Sequence, residues 1–234
     1  MSDNTEEFLE ITRIKEEFIA NASHELKTPV ASVRLAAESA LRSLKLKDGM
    51  AKSFLEQILR DSDRMNELIS DLLDLSSMES SDIEMEIIDL HEVISNEISY
   101  LSKQNKQRVG YKKTKAEIFA NYDDISIAVK NLIKNALKYS PLEENIFIKT
   151  ETSDSEIICS FQDFGSGISK ADQEKIFERF YRVDKGRSRK LGGTGLGLAI
   201  VKHAIDRNNA RIEIESKLSF GSTFSIIFPK VNVK

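Results

Sequence analysis

Apolar residues stand at Phe8, Ile11, Ile14, Phe18, Ala22, Leu26, Val30, Val33, Ala37 and Leu41. Steps of three and four, kept up without a break, describe one stripe along one long helix. The spacing predicts a helix from about Thr5 to Leu46, closed by the turn Lys47-Asp48-Gly49-Met50, with the glycine expected after a helix end. A second stripe follows at Phe54, Ile58, Met65, Leu68, Leu72 and Leu75, widened by Leu55, Leu59, Ile69 and Leu73. A two-helix hairpin of this length cannot bury both stripes by itself, whereas two hairpins packed as a four-helix bundle can, so a homodimer is expected.

After this hairpin the pattern changes. Ser76 to Asp82 is small and polar and reads as a linker, which divides the chain into 1–80 and 81–234. Beyond it, short strand-like runs at Glu84–Ile88, Arg108–Lys112, Glu117–Ala120, Ile146–Thr150, Ile157–Gln162, Arg211–Glu215 and Ser222–Phe228 alternate with helical ones. The helices are predicted near Leu90–Lys103, Asp123–Tyr139 and Gly195–Asn208, and Ser153-Asp154-Ser155 marks a hairpin. The second part is therefore expected to be an α/β sandwich, a mostly antiparallel sheet with helices on one face.

The formal net charge of −4 offers no global attraction to nucleic acid or anionic lipid. Cys159 is the single cysteine, which excludes an intrachain disulfide and a multi-cysteine metal site; its alternation with Ile157 and Phe161 predicts a buried thiol. No apolar run approaches the roughly 20 residues that span a bilayer, so no direct membrane insertion is expected. The acidic start, Met1 to Glu7, is unlike a signal peptide.

On the first helix, His24 lies two residues from both Ala22 and Leu26, so at 100° per residue it points about 200° from the stripe. The helix holds this imidazole outward, with Thr28 one turn away. Glu25 is adjacent and able to polarise one ring nitrogen, leaving the other the better nucleophile. Pro29 in mid-helix removes a hydrogen bond at a cost of about 3 kcal/mol unless a bend is wanted there. The run Phe18-Ile19-Ala20-Asn21-Ala22-Ser23-His24-Glu25-Leu26-Lys27-Thr28-Pro29 resembles the H box of bacterial sensor histidine kinases.

Further motifs follow in order. Asn131, Asn135 and Lys138 share a helix face beside the buried stripe Ile125, Val129, Leu132 and Ala136. Amide oxygens suit Mg²⁺, which keeps most of its waters and bridges phosphates, and the lysine adds positive charge for those phosphates. The segment Asn131 to Ser140, with Tyr139, resembles the family's N box. In Asp163-Phe164-Gly165-Ser166-Gly167-Ile168, at a strand end, the carboxylate suits an adenine amino group and repels a guanine carbonyl. It is similar to the first glycine box. Phe177 to Arg182 resembles the F box, and the basic, glycine-punctuated stretch Val183–Leu191 reads as a mobile lid over phosphates. Gly192-Gly193-Thr194-Gly195-Leu196-Gly197 then opens a helix, whose amides favour phosphate, and resembles the second glycine box. A dinucleotide fingerprint fails because Leu198 stands where a glycine is needed, and no P-loop Gly-Lys-Ser/Thr is present.

The resemblance covers nearly the whole chain, to a closing strand with Gly221-Ser222-Thr223, and departs only slightly, at Asn121-Tyr122-Asp123. It implies a Bergerat-type ATP-binding domain taking ATP and Mg²⁺, with Asn135 on the metal, Asp163 reading adenine, and Asn131, Lys138, Tyr139, Gly165, Gly167 and Ile168 around the nucleotide. Arg182, Gly193, Thr194, Gly195, Leu196, Gly197 and Thr223 complete that set. It also implies autophosphorylation of His24 with Glu25 as polarising base, then transfer to an aspartate of a response-regulator receiver domain. Thr28 would orient water for the reverse, phosphatase reaction. By the same resemblance the chain is expected to be cytoplasmic, the soluble part of a membrane-bound sensor. Two rivals are a catalytically silent dimeric signalling scaffold and a Bergerat-type ATPase; for the latter, Asn131 stands where a hydrolytic glutamate is needed.

Overall fold

The computed structural model describes residues 3–47, 49–80, 83–183 and 193–230, with side chains except at 3–12 and 14–15. The side chains of the expected stripe residues Phe8, Ile11 and Ile14, and the whole of the turn residue Asp48, the linker residues Ser81 and Asp82, most of the expected lid and Gly192, lie outside this description. Two compact units emerge, one holding the chain up to Leu72 with Gly193 and Thr194, the other 73–183 and 195–230. Among the described residues, no helix is long and apolar enough to cross a membrane.

Helices α1 (Asp3–Leu46) and α2 (Ala51–Ser80) form the hairpin. Pro29 lies inside α1 without ending it, and its ring is buried. The antiparallel register is fixed by polar links: Ser32 Oγ donates to Asp61 Oδ2 at 2.7 Å and accepts from Gln57 Nε2 at 3.0 Å. Small side chains let the helices approach, with Ala22, Ala36 and Ala40 buried. The expected stripe is only partly consumed by this contact. Val30 and Leu41 stay 56% and 62% exposed, and Leu55, Leu59 and Leu73 of α2 are also open.

The expected linker is a correction. Ser76–Ser80 is helical, because Leu75 and Met78, three apart and almost fully buried, continue the apolar period through a serine-rich stretch. This end of α2 packs within the second unit: Arg207 donates to the Met78 carbonyl, Arg179 Nη2 meets Glu79 Oε1 at 2.9 Å and Lys130 Nζ meets Asp74 Oδ2 at 3.7 Å.

The remaining elements are β1 (Glu86–Asp89), α3 (Leu90–Ser99), α4 (Lys103–Gln107), β2 (Val109–Tyr111), β3 (Glu117–Ala120), α5 (Tyr122–Tyr139), β4 (Ile146–Thr152), β5 (Glu156–Asp163), α6 (Lys170–Gln173), a 3₁₀ turn (Lys175–Phe177), α7 (Gly197–Arg207), β6 (Arg211–Lys217) and β7 (Gly221–Pro229). The helix expected over Leu90–Lys103 is divided, because Ser102 accepts from the Asn105 amide and starts α4 afresh. The main sheet has the order β2-β4-β5-β7-β6, antiparallel except for β2 with β4, and β1 pairs with β3 in a small second sheet. Alternation sets its faces: Ile157, Cys159, Phe161 and Asp163 of β5 point inward, and burial pushes the Cys159 thiol up to about 12. Helix α5 lies against β5, with α3 and α7 packed beside it, giving the expected α/β sandwich.

Phe161 is 1% exposed at the centre of β5, whereas Phe220, in the turn between β6 and β7, is 69% exposed. Phe161→Ala is expected to cost about 3–5 kcal/mol in urea unfolding and Phe220→Ala under about 1 kcal/mol. Equal costs would contradict this placement of the core.

Candidate functional site

The first site is the outward face of α1. His24 is exposed, as the stripe geometry requires, while Ala22 is buried and Leu26 half-buried. Thr28 Oγ1 donates to the His24 carbonyl at 3.2 Å, so its hydroxyl stands one turn from the imidazole on the same face. Glu25 turns toward α2, where its Oε2 accepts from Arg64 Nη2 at 2.8 Å. Sequence reasoning missed Arg64. The signal was present, because Asp61, Arg64, Leu68, Asp71 and Leu75 step by three and four and put a cation on the inner face of α2. Thr194 Oγ1 also belongs to this unit, donating to Asp71 Oδ2 at 2.5 Å, with both side chains buried.

The second site is built where β5, α5, α7 and β7 end near one another. Asn121 caps α5 by accepting from the Asp124 amide at 2.9 Å, and the helix then carries Asn131, Asn135 and Lys138 through its last three turns. Asn131 is buried and Nδ2 donates to the Ile127 carbonyl at 2.9 Å; Asn135 and Lys138 are half-buried and Tyr139 is 41% exposed. A Cβ on Gly197, the first residue of α7, would stand 3.0 Å from Asn131 Oδ1 and 3.9 Å from Asn135 Nδ2. The structure thus brings the second glycine motif directly onto the asparagine face.

At the end of β5, Asp163 is 6% exposed and its Oδ1 accepts from the Gly165 and Ser222 amides at 2.8 and 3.2 Å. Burial pushes its carboxyl above the usual carboxylate range, and the hydrogen bonds from Gly165 and Ser222 oppose that shift. Thr223, half-buried, lies next to Ser222 and pairs with Gln162 across β5 and β7. Gly165 passes so close to α5 that a Cβ would lie 2.6 Å from the Tyr139 carbonyl oxygen, and the Phe164 amide donates to Ser140 Oγ at 3.1 Å. Gly167 has φ +65°, and a Cβ there would meet the Lys217 carbonyl at 2.0 Å, so only glycine fits. Ile168 is tied by its amide to Ser216 Oγ at 2.8 Å. Gly195 (φ +79°) packs on the backbone of Phe180, whose amide donates to the Gly195 carbonyl at 2.8 Å, joining the expected F box to the second glycine motif. Arg182 is half-buried, Gly193 and Leu196 are buried, and α7 starts without a side-chain cap.

Arg108 was also missed. It is 7% exposed and donates to four carbonyls, those of Leu137, Ser140, Pro141 and Glu144, and so shapes the exit of α5 beside Gly165. A lone arginine before a short strand gives no sequence signal for that. Among the described residues, no three His, Cys, Asp or Glu side chains gather as a metal site. Asn135, half-buried on α5, carries an amide oxygen of the kind that could hold a cation here. That single protein ligand suits an ion that keeps its waters and takes phosphate oxygens.

Comparison with known proteins finds a match for each part of the chain. Residues 14–81 match the His Kinase A (phospho-acceptor) domain, and residues 120–232 match the Histidine kinase-, DNA gyrase B-, and HSP90-like ATPase family. The sensor-like histidine kinase SenX3 of Mycolicibacterium smegmatis is 34% identical over 97% of this chain and 61% of its own length. The sensor histidine kinase WalK of Bacillus subtilis is 35% identical over 92% of this chain and 36% of its own. This chain therefore spans between about a third and three-fifths of these relatives. In structure, the histidine kinase AdeS of Acinetobacter baumannii shares the fold at TM-score 0.65 and 24% identity, covering 89% of this chain and 98% of that one. Full-length ShkA in complex with AMPPNP does so at TM-score 0.59 and 20% identity, covering 92% and 45%. A phospho-acceptor hairpin followed by an ATP-binding α/β domain defines a transmitter core. The chain belongs to the two-component sensor histidine kinases.

Because the folded-state carboxyl of Asp163 is raised above its unfolded value, the folded form binds more protons, and stability falls as pH rises through that range. Asp163→Asn removes the buried charge but keeps an acceptor for the Gly165 and Ser222 amides. The variant is expected to be more stable than the parent in denaturant at pH 7, with the gap closing below the ordinary carboxylate range. A variant less stable at pH 7 would contradict the assignment of burial as the dominant cause.

Proposed function

We propose that this chain transfers the γ-phosphoryl group of ATP to His24 and then to an aspartate of a response-regulator receiver domain. The observation that carries the reading is the convergence of Asn131, Asn135 and Gly197, in a chain whose phospho-acceptor helix holds His24 exposed. Asp163 is to hydrogen-bond the adenine amino group, with Thr223, Gly165, Gly167 and Ile168 shaping the base pocket and Tyr139 flanking it. Asn135 is to hold Mg²⁺, which lowers the charge repulsion at the phosphates. Lys138, Arg182 and the amides of Gly193, Thr194, Gly195, Leu196 and Gly197, at the uncapped start of α7, are to bind the phosphates.

The bare ring nitrogen of His24 attacks phosphorus, a P–N bond forms as the bond to the β-phosphate oxygen breaks, and ADP leaves. Glu25 holds the proton of the other ring nitrogen. Such a transfer needs positioning and charge stabilisation more than covalent chemistry, in keeping with a site of amides and glycines. Thr28, one turn from His24, is to orient water when the regulator is dephosphorylated. The open apolar edges at Val30, Leu41, Leu55 and Leu59 favour a homodimer through a four-helix bundle. We assign residues 1–80 to the phospho-acceptor hairpin and 81–234 to the ATP-binding domain, since α2 ends at Ser80. An ATPase reading is disfavoured, because Asn131 has no basicity and its Nδ2 is bound to the Ile127 carbonyl.

Incubation with Mg²⁺ and γ-labelled ATP is expected to give acid-labile label on the parent and none on His24→Gln. Nucleotide binding without label on the parent would overturn the autokinase reading.

A further inference from the structure

The Arg64–Glu25 pair has no part in the reaction as described so far. It joins α2 to α1 at 2.8 Å, and its side chains are only 10% and 21% exposed. Arg13–Glu17, Arg34–Glu38 and Lys52–Glu56, also in the hairpin, each lie within one helix and are largely exposed, where such pairs contribute little. A sheltered cross-helix pair beside the phospho-acceptor is a different object. Two turns further along the same hairpin, the Ser32–Gln57 link at 3.0 Å repeats the register, seven residues on along α1 and seven back along α2, so the position of Arg64 opposite Glu25 is set by the helix pairing itself.

The geometry gives this pair a task. A polarising carboxylate acts only from a fixed place, which a flexible glutamate does not keep unaided. A guanidinium remains charged at any working pH and holds a carboxylate by charge-assisted hydrogen bonds, yet leaves it able to accept a further one. We propose that Arg64 is a positioning residue for phosphoryl transfer to His24: it fixes the Glu25 carboxylate between the two helices. The proposal rests on the reading of His24 as phospho-acceptor and of Glu25 as its polarising base. Arg64 acts only through Glu25.

The sign of the effect follows. Without the guanidinium the Glu25 carboxylate is free to leave its place, so transfer to His24 slows while nucleotide binding does not. For Arg64→Gln, the rate of His24 labelling is expected to fall by about tenfold. The KM for ATP is expected to stay unchanged, and Arg64→Lys is expected to restore most of the rate. In a double-mutant cycle, Arg64→Gln is expected to add nothing to Glu25→Gln. Labelled parent with no loss in Arg64→Gln, or with losses that add in the cycle, would overturn the role of Arg64 and leave the autokinase reading standing. Absence of acid-labile label on the parent would overturn that reading, and the role of Arg64 with it. The lysine variant keeps the test decisive if the glutamine variant fails to fold.

Discussion

The nucleotide pocket depends on one buried carboxylate that touches no nucleotide motif. Asp124, 3% exposed in the first turn of α5, accepts from Arg207 Nε at 3.0 Å and from Asn208 Nδ2 at 3.1 Å at the far end of α7. Asn208 Oδ1 in turn accepts from the Asn121 amide at 2.6 Å, and Arg207 reaches the Met78 carbonyl. A buried charge without partners is costly, so this cluster admits few alternative arrangements of the two helices. Fixing the start of α5 against the end of α7 fixes their opposite ends too, and those ends carry Asn131, Asn135 and Gly197.

At the end of β5 the chain gives up stability to bury a carboxylate. Asp163 is held nearly out of water with its carboxyl pushed up, an arrangement that weakens the folded state at neutral pH. The surrounding backbone is built to tolerate it: Gly165 and Ser222 direct amides at Oδ1, Ser140 receives the Phe164 amide, and Arg108 gathers the carbonyls that end α5. A carboxylate kept at such a cost, with its shell assembled from three separate elements, is the mark of a group retained for recognition.

Much of this was legible in the residues. The two stripes gave the hairpin, alternation at Ile157, Cys159 and Phe161 gave the central strand, and the asparagine and second glycine motifs meet at Asn131, Asn135 and Gly197. Three things were hidden, each for a physical reason. Ser76–Ser80 reads as a linker because its composition is polar, while its helical state comes from burial of Leu75 and Met78 three residues apart. Arg108 and Asp124 organise the pocket through carbonyls and partners far away in sequence, which no local pattern encodes. Arg64 was overshadowed by the apolar residues of α2, although its spacing from Leu68 already placed it on the inner face.

The types of residue at the two sites follow from the same economy. Phosphoryl transfer draws its driving force from the anhydride, so the protein has to place atoms and balance charge rather than supply many acids and bases. That requirement is met by amides, glycines and a few cations, which explains why no carboxylate–histidine cluster marks the pocket among the described residues. The hairpin shows the same reliance on placement: His24 is exposed on α1, and the neighbouring Glu25 is tied by Arg64 across to α2. The cross-helix register, set by small side chains and by Ser32 with Gln57, therefore also sets where that carboxylate stands.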